Sequence, residues 1–234
     1  MSLPDLAWQI AYGRVAWGIV LAAVLLALWP HTRRLPRAVF GALLAAIAVA
    51  MALPGEASPA YWMGLAFQYP SGMLLGLCLL ALHARWQGAQ AGAKVDSSMP
   101  LAAAVTIAVA GLALYLDAIG WLSQGYYYAG FGPVLAPAVA LVATLGCVLA
   151  LVRGRGGRHN LALLGALLLF TLLRLPTGNL WDAVLDPLLW GWALATLAGR
   201  ALRPVAGRRI AGRRIAGVSR LRPVPIEQFS TSKE

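Results

Sequence analysis

Five ionisable side chains stand where an otherwise apolar chain has no routine use for them: Arg14, Asp117, Arg174, Asp182 and Asp186. A carboxylate held among apolar neighbours can serve as a general base, and an arginine can grip a phosphate through paired, charge-assisted hydrogen bonds. Asp117 and Asp182 are therefore candidate catalytic bases, with Arg14 and Arg174 as candidate phosphate ligands. The densest stretch is 174–187, which holds Arg174, Asn179, Trp181, Asp182 and Asp186 between two apolar segments, with Pro176, Gly178 and Pro187 to turn the backbone. Asp182 and Asp186 are four apart, so a continuous helix would put both on one face. Two carboxylates that close would raise one pKa unless an arginine lay between them. Arg174 is therefore expected beside at least one of Asp117, Asp182 and Asp186, with Arg14 on the rim of the same pocket. Plainer roles compete. Asn179 could cap a helix with Asp182 three residues on, much like a capping box. Alternatively, Asp186 could cap a helix that Pro187 opens.

The elements that must carry these residues follow from composition. The 234-residue chain is 60% hydrophobic and only 12% charged, against about 25% charged in soluble domains. Long apolar runs separated by short polar gaps define an all-α, polytopic transmembrane bundle of about seven spans. The spans are expected at 6–29, 38–53, 61–84, 100–122, 133–152, 160–175 and from the hinge to about 199. The second and sixth are short, since sixteen residues of helix rise only about 24 Å. Pro70, with Ser71 and Gly72, should kink or break the third. Gly72 and Gly76 form a small-xxx-small pair that would admit a neighbouring helix. No basic segment precedes the first apolar run, so that run is expected to remain as a span.

Charge fixes the expected orientation. Lysine and arginine gather in the gaps at 30–37, 85–99 and 153–159 and in the tail from Arg200, whereas the gaps at 54–60, 117–132 and 175–186 carry acids and no lysine. Basic loops stay cytoplasmic, which puts the N-terminus outside and the C-terminus inside, and maps all five ionisable residues to the outer side. The formal net charge of +11 then reflects membrane topology rather than nucleic-acid binding. Residues 1–203 are expected to form the membrane domain and 204–234 a cytoplasmic polybasic tail. In the tail, Ala-Gly-Arg-Arg-Ile occurs twice, at 206–210 and 211–215. A five-residue period does not keep one helix face, and each copy brings a helix-weakening glycine, so the tail should be an irregular arm on anionic lipid headgroups.

Trp8, Tyr61, Trp62, Tyr69, Trp121, Tyr126, Tyr127, Tyr128 and Trp181 map to the outer level. They should form either an interfacial aromatic belt or a platform for sugar rings and lipid-linked headgroups. No metal or cofactor is expected. Cys78 and Cys147 lie inside apolar runs and read as packing residues, the histidines sit on the cytoplasmic side away from any paired haem-ligand arrangement, and the seventh span has no lysine for a retinal Schiff base. Walker, His-Glu-x-x-His and Gly-x-Ser-x-Gly motifs are absent from the sequence. The expected function is a multi-pass bacterial inner-membrane protein with an outward polar and aromatic pocket, acting as an accessory or transport-assisting subunit beside membrane lipids and another membrane-protein subunit. The alternatives are a membrane-embedded transferase or hydrolase acting on a lipid-linked or phosphorylated substrate, and a small-solute transporter.

Overall fold

A computed structural model describes residues 4–29, 36–91, 99–155 and 157–218, the side chains within 88–91 and 203–218 excepted. The basic gap at 30–35, the polar gap at 92–98 and the end from 219 lie outside the described residues. Among those described the regular secondary structure is all helical: α1 (Leu6–Leu28), α2 (Arg37–Ala52), a 3-10 turn (Gly55–Ala57), α3 (Pro59–Phe67), α4 (Gly72–Ala91), α5 (Leu101–Ala118), α6 (Tyr126–Ala129), α7 (Leu135–Val152), α8 (Arg158–Leu173), α9 (Leu180–Val184) and α10 (Pro187–Val218).

Local chemistry accounts for these boundaries. Asp5 accepts from the Ala7 amide to open α1, and Ser58 accepts from the Ala60 amide to open α3, with Pro59 in its first turn. Both are N-caps that satisfy amides lacking an intrahelical partner. α8 ends where Arg174 turns left-handed at φ 58° and its amide bonds the Phe170 carbonyl at 2.9 Å.

Three helices, α1, α5 and α7, are long and apolar enough to cross a membrane. In α7 the mean hydropathy is 2.5, yet only 17% of the 18-residue window is buried inside the protein. Such a surface is unfavourable in water and ordinary in lipid, so the helices fit a membrane protein.

α4 packs against both α1 and α8. Its contact with α8 is the small-residue pairing that the sequence predicts: a Cβ added to Gly72 would lie 2.9 Å from the Ala166 Cα, and one on Gly76 would lie 3.0 Å from the Ala162 Cα. Close backbone approach of this kind maximises dispersion contact where lipid provides no hydrophobic drive between helices. α2 lies on α1, α7 on α8 and α5 on α10. One apolar core joins α1, α2, α4, α5, α8 and α10 around Trp17, Leu77, Ile107, Ala166 and Leu189.

The third apolar run breaks at Pro70, one of the two outcomes expected there, into α3 and α4, separated at 68–71. One expectation needs correction: the backbone of α10 stays helical through both copies of the pentapeptide repeat, to Val218, where an irregular arm was predicted. The alanines and arginines between the glycines are strong helix formers, and a single interior glycine costs only about 1 kcal/mol, so an established helix runs through them.

Candidate functional site

The third run breaks because the chain supplies partners for the carbonyls and amides the break releases. Gln68 is held at φ 62°, ψ −116°, backbone that glycine favours and a glutamine rarely adopts. The Trp17 indole N–H donates to the Gln68 carbonyl at 3.1 Å, and the Tyr12 hydroxyl donates to the Pro70 carbonyl at 2.7 Å. Ser71, fully buried, then caps α4 by accepting from the Leu74 amide through Oγ at 3.0 Å. An apolar environment tolerates irregular backbone only where protein groups satisfy it in this way.

The last partner comes from the hinge. The Ser71 amide donates to Asp186 Oδ2 at 2.7 Å, and the Leu189 amide donates to Asp186 Oδ1 at 2.8 Å. Asp186 is thus the N-cap of α10, with Pro187 opening that helix, and it also ties down the start of α4. Two helix N-termini converge on one buried carboxylate. Their partial positive charges and amides offset its negative charge, the task the sequence assigned to an arginine.

The hinge contains both predicted caps rather than one. Asn179 Oδ1 accepts from the Trp181 amide at 2.9 Å and opens α9, a separate short helix. The chain is extended at Leu185 before Asp186 opens α10. Asp182 and Asp186 therefore do not share one helix face as predicted. Two caps four residues apart in one polar stretch favour two helices over a continuous one.

α6 docks on α9 and completes the site. The Asn179 Nδ2 donates to the Tyr127 carbonyl at 3.1 Å, the Trp181 indole to the Tyr126 carbonyl at 2.9 Å, and the Leu180 amide to the Gly130 carbonyl at 3.0 Å. Gly130 is required here, because a side chain would meet the Asn179 carboxamide. Asp117, at the end of α5, aligns the loop before α6 by accepting from the Gln124 amide at 3.2 Å, the Gly125 amide at 3.0 Å and the Tyr127 amide at 2.7 Å. These bonds occupy the carboxylate, and Asp117, a candidate base from the sequence, holds this loop and does not line the cavity described below.

Asp182 is the carboxylate that faces open space. Thr177 Oγ1 donates to Oδ2 at 2.5 Å, and the Tyr127 hydroxyl donates to the same group at 3.1 and 3.2 Å. Burial raises its pKa, while the bonds from Thr177 and Tyr127 pull the other way. The Tyr127 phenol, half-buried beside Asp182, is pushed up to about 12 by desolvation and that carboxylate, so it remains a donor.

A cavity of about 360 Å³ opens here, lined in part by Gln68, Tyr69, Tyr115, Tyr127, Thr177, Trp181, Asp182 and Asp186. Of the residues predicted for the pocket, Trp181, Asp182 and Asp186 line it. Asn179 and Asp117 stand behind it, holding α9 and α6. Arg174 does not pair with an aspartate as predicted. Its guanidinium lies 5.0 Å over the Phe170 ring, and its Nη1 has no hydrogen-bond partner among the described residues. The left-handed end of α8 turns the side chain back over that helix's own aromatic. Arg14 lines two other cavities and not this one. The aromatic set divides as well: Trp8, Trp62, Trp121 and Tyr128 are well exposed, as a belt requires, whereas Tyr69, Tyr127 and Trp181 line the cavity.

Sequence reading missed Gln68, Tyr115 and Thr177 in this lining. A glutamine immediately before Tyr-Pro inside an apolar run is a signal for Gln68. Nothing in the sequence marks Tyr115, one aromatic within an ordinary apolar helix. Comparison with protein-family models, curated proteins and solved structures found no match to this chain.

Proposed function

We propose that the chain is a multi-pass protein of the bacterial inner membrane, with about seven spans, its N-terminus outside and its C-terminus inside. In this reading the hinge cavity opens outward, binds a small organic cation, and serves an accessory or transport-assisting role in the envelope. One observation carries this reading: two carboxylates share a cavity with Tyr69, Tyr115, Tyr127 and Trp181, and among the described residues no basic one lines it. Aromatic faces attract cations through their quadrupole, and a cavity of this size suits a small molecule. Asp186 is already offset by two helix N-termini, so Asp182 is the group left to meet the ligand's charge.

Binding is tested with benzyltrimethylammonium on purified protein, followed by tryptophan fluorescence, with phenyl phosphate as the control. Wild type should bind the cation saturably, and Asp182→Asn should bind it about tenfold more weakly, the loss of one charge-assisted contact. Affinity should also fall as pH drops through the raised folded pKa of Asp182, because the carboxylate that meets the cation becomes neutral. The sign for stability is opposite. A folded pKa above the unfolded value means that the ionised form opposes folding, so Asp182 should destabilise the protein above its folded pKa and be relieved on acidification toward the ordinary carboxylate range. Preference for phenyl phosphate would overturn the assignment.

Orientation has its own test. Glu56 and Arg155 are both exposed. In intact spheroplasts, Glu56→Cys should react with an impermeant maleimide, and Arg155→Cys only after lysis. The reverse pattern would put the cavity on the cytoplasmic side.

A small-solute transporter is the second reading. It is favoured by the pair of chain breaks at 68–71 and 185–186, which bring the N-termini of α4 and α10 together beside the cavity. Transporters build solute sites from such discontinuous helices. Flux of the same cation into proteoliposomes would select it over the accessory role.

A further inference from the structure

Arg14 has a different setting from the other four ionisable residues. It is half-buried about 12 Å of helix from the start of α1, and no carboxylate pairs with it among the described residues. A cation inside a span costs about 2.5–3.5 kcal/mol on insertion scales, and such residues are retained where they meet a partner or a ligand.

Two cavities meet at this residue. On one side is an apolar groove of about 870 Å³ between α1, α2 and α4, running past Ile47 and Leu44 to Phe40 and Trp86. On the other is a recess of about 410 Å³ that includes Ser58, Tyr61, Gln68 and Tyr69. Arg14 is the one described residue that lines both, and no described acid lines either. The groove follows α2 from Phe40 to Ala52, a rise of about 18 Å, close to the depth of one leaflet's hydrocarbon, about 15 Å. Its far end is closed by Phe40 and Trp86, whose rings pack at 5.4 Å, with the Arg37 guanidinium 5.6 Å from the Trp86 ring.

A hydrophobic slot the length of an acyl chain, an unpaired guanidinium at its mouth and a polar recess beyond describe the shape and charge of one ligand class. We propose that this is a specific site for an anionic phospholipid of the membrane, its phosphate bonded by Arg14, its headgroup in the recess with Tyr61, Gln68 and Tyr69, and one acyl chain along the α1–α2–α4 groove. The site depends on membrane residence; its recess shares Gln68 and Tyr69 with the hinge cavity, whereas Arg14 and the groove lie outside that cavity.

The test is native mass spectrometry of the full chain, delipidated and then titrated with phosphatidylglycerol or with phosphatidylcholine of the same chains. Wild type should retain one phosphatidylglycerol in preference to phosphatidylcholine. Arg14→Gln should weaken phosphatidylglycerol binding about tenfold, as loss of a charge-assisted contact does, and remove most of its preference over zwitterionic phosphatidylcholine. Ala48→Trp, at an exposed groove position, should block the chain while keeping Arg14, which separates loss of the site from misfolding. Equal affinity for the two lipids, or unchanged phosphatidylglycerol binding in both variants, would overturn the site. Displacement of the lipid by millimolar inorganic phosphate would also overturn it, because Arg14 would then hold a free anion. Benzyltrimethylammonium binding at the hinge should be unaffected by either variant, so failure here and failure of the hinge cavity are distinguishable.

Discussion

Asp186→Leu should strip the hinge end of its main tie and lower stability by about 3–5 kcal/mol. The leucine leaves the Ser71 and Leu189 amides without their acceptor, and each buried, unpaired donor costs about 1–3 kcal/mol. The two helix N-termini also lose the anion between them. A loss of this size is a large fraction of the 5–15 kcal/mol that holds a typical domain. Asp186→Asn should fall between, because its single carbonyl oxygen can serve one amide while its own N–H₂ confronts the other. Thermal melts of the purified protein in one detergent, read by near-ultraviolet circular dichroism, would rank the three. Equal melting of wild type and Asp186→Leu would show that the carboxylate does not join α4 to α10.

Asp117→Ala should cost about 2 kcal/mol and abolish ligand affinity at the hinge, although Asp117 does not line that cavity. Three amides, of Gln124, Gly125 and Tyr127, lose their common acceptor. Their partial exposure lets water replace some of the loss, which keeps the cost below that of three buried bonds. α6 would then leave its seat on α9, and the Tyr127 hydroxyl would leave Asp182. The distinguishing readout is the pair of measurements together. A positioning role predicts that melting temperature and benzyltrimethylammonium affinity fall in step, and that Asp117→Asn restores part of each. Affinity lost with the melt unchanged would return Asp117 to direct contact with the ligand.

Much of the architecture was legible because it rests on local, one-dimensional quantities. Apolar run length marked the long helices, and Pro70 marked the break between α3 and α4. Gly72 and Gly76 marked the face that meets Ala166 and Ala162. The caps at Asn179 and Asp186 follow from side-chain reach to amides two or three residues on. The same short range explains why Asn179, Trp181 and Asp182 were found together: the hinge is a single stretch, and its polarity stands out against apolar flanks.

Tertiary structure decided which charges meet. From the sequence, buried aspartates and arginines at one level of the membrane call for ion pairs. Backbone amides answered instead, because the broken third run delivered the start of α4 to Asp186, and the loop before α6 folded its amides over Asp117. An amide carries no mark in the sequence, since every residue except proline has one. Arg14 and Arg174 went elsewhere for the same reason: which helix packs beside α1 and where α8 turns back are set by side-chain fit over the whole bundle. The sequence by itself determined that this chain is helical and apolar enough for a membrane, where its polar hinge lies and which residues cap it. Only tertiary packing, of α4 between α1 and α8 and of α6 on α9, decided that Asp182 faces a cavity, that Asp117 and Asp186 bond backbone amides, and that Arg14 lines the mouth of an apolar groove.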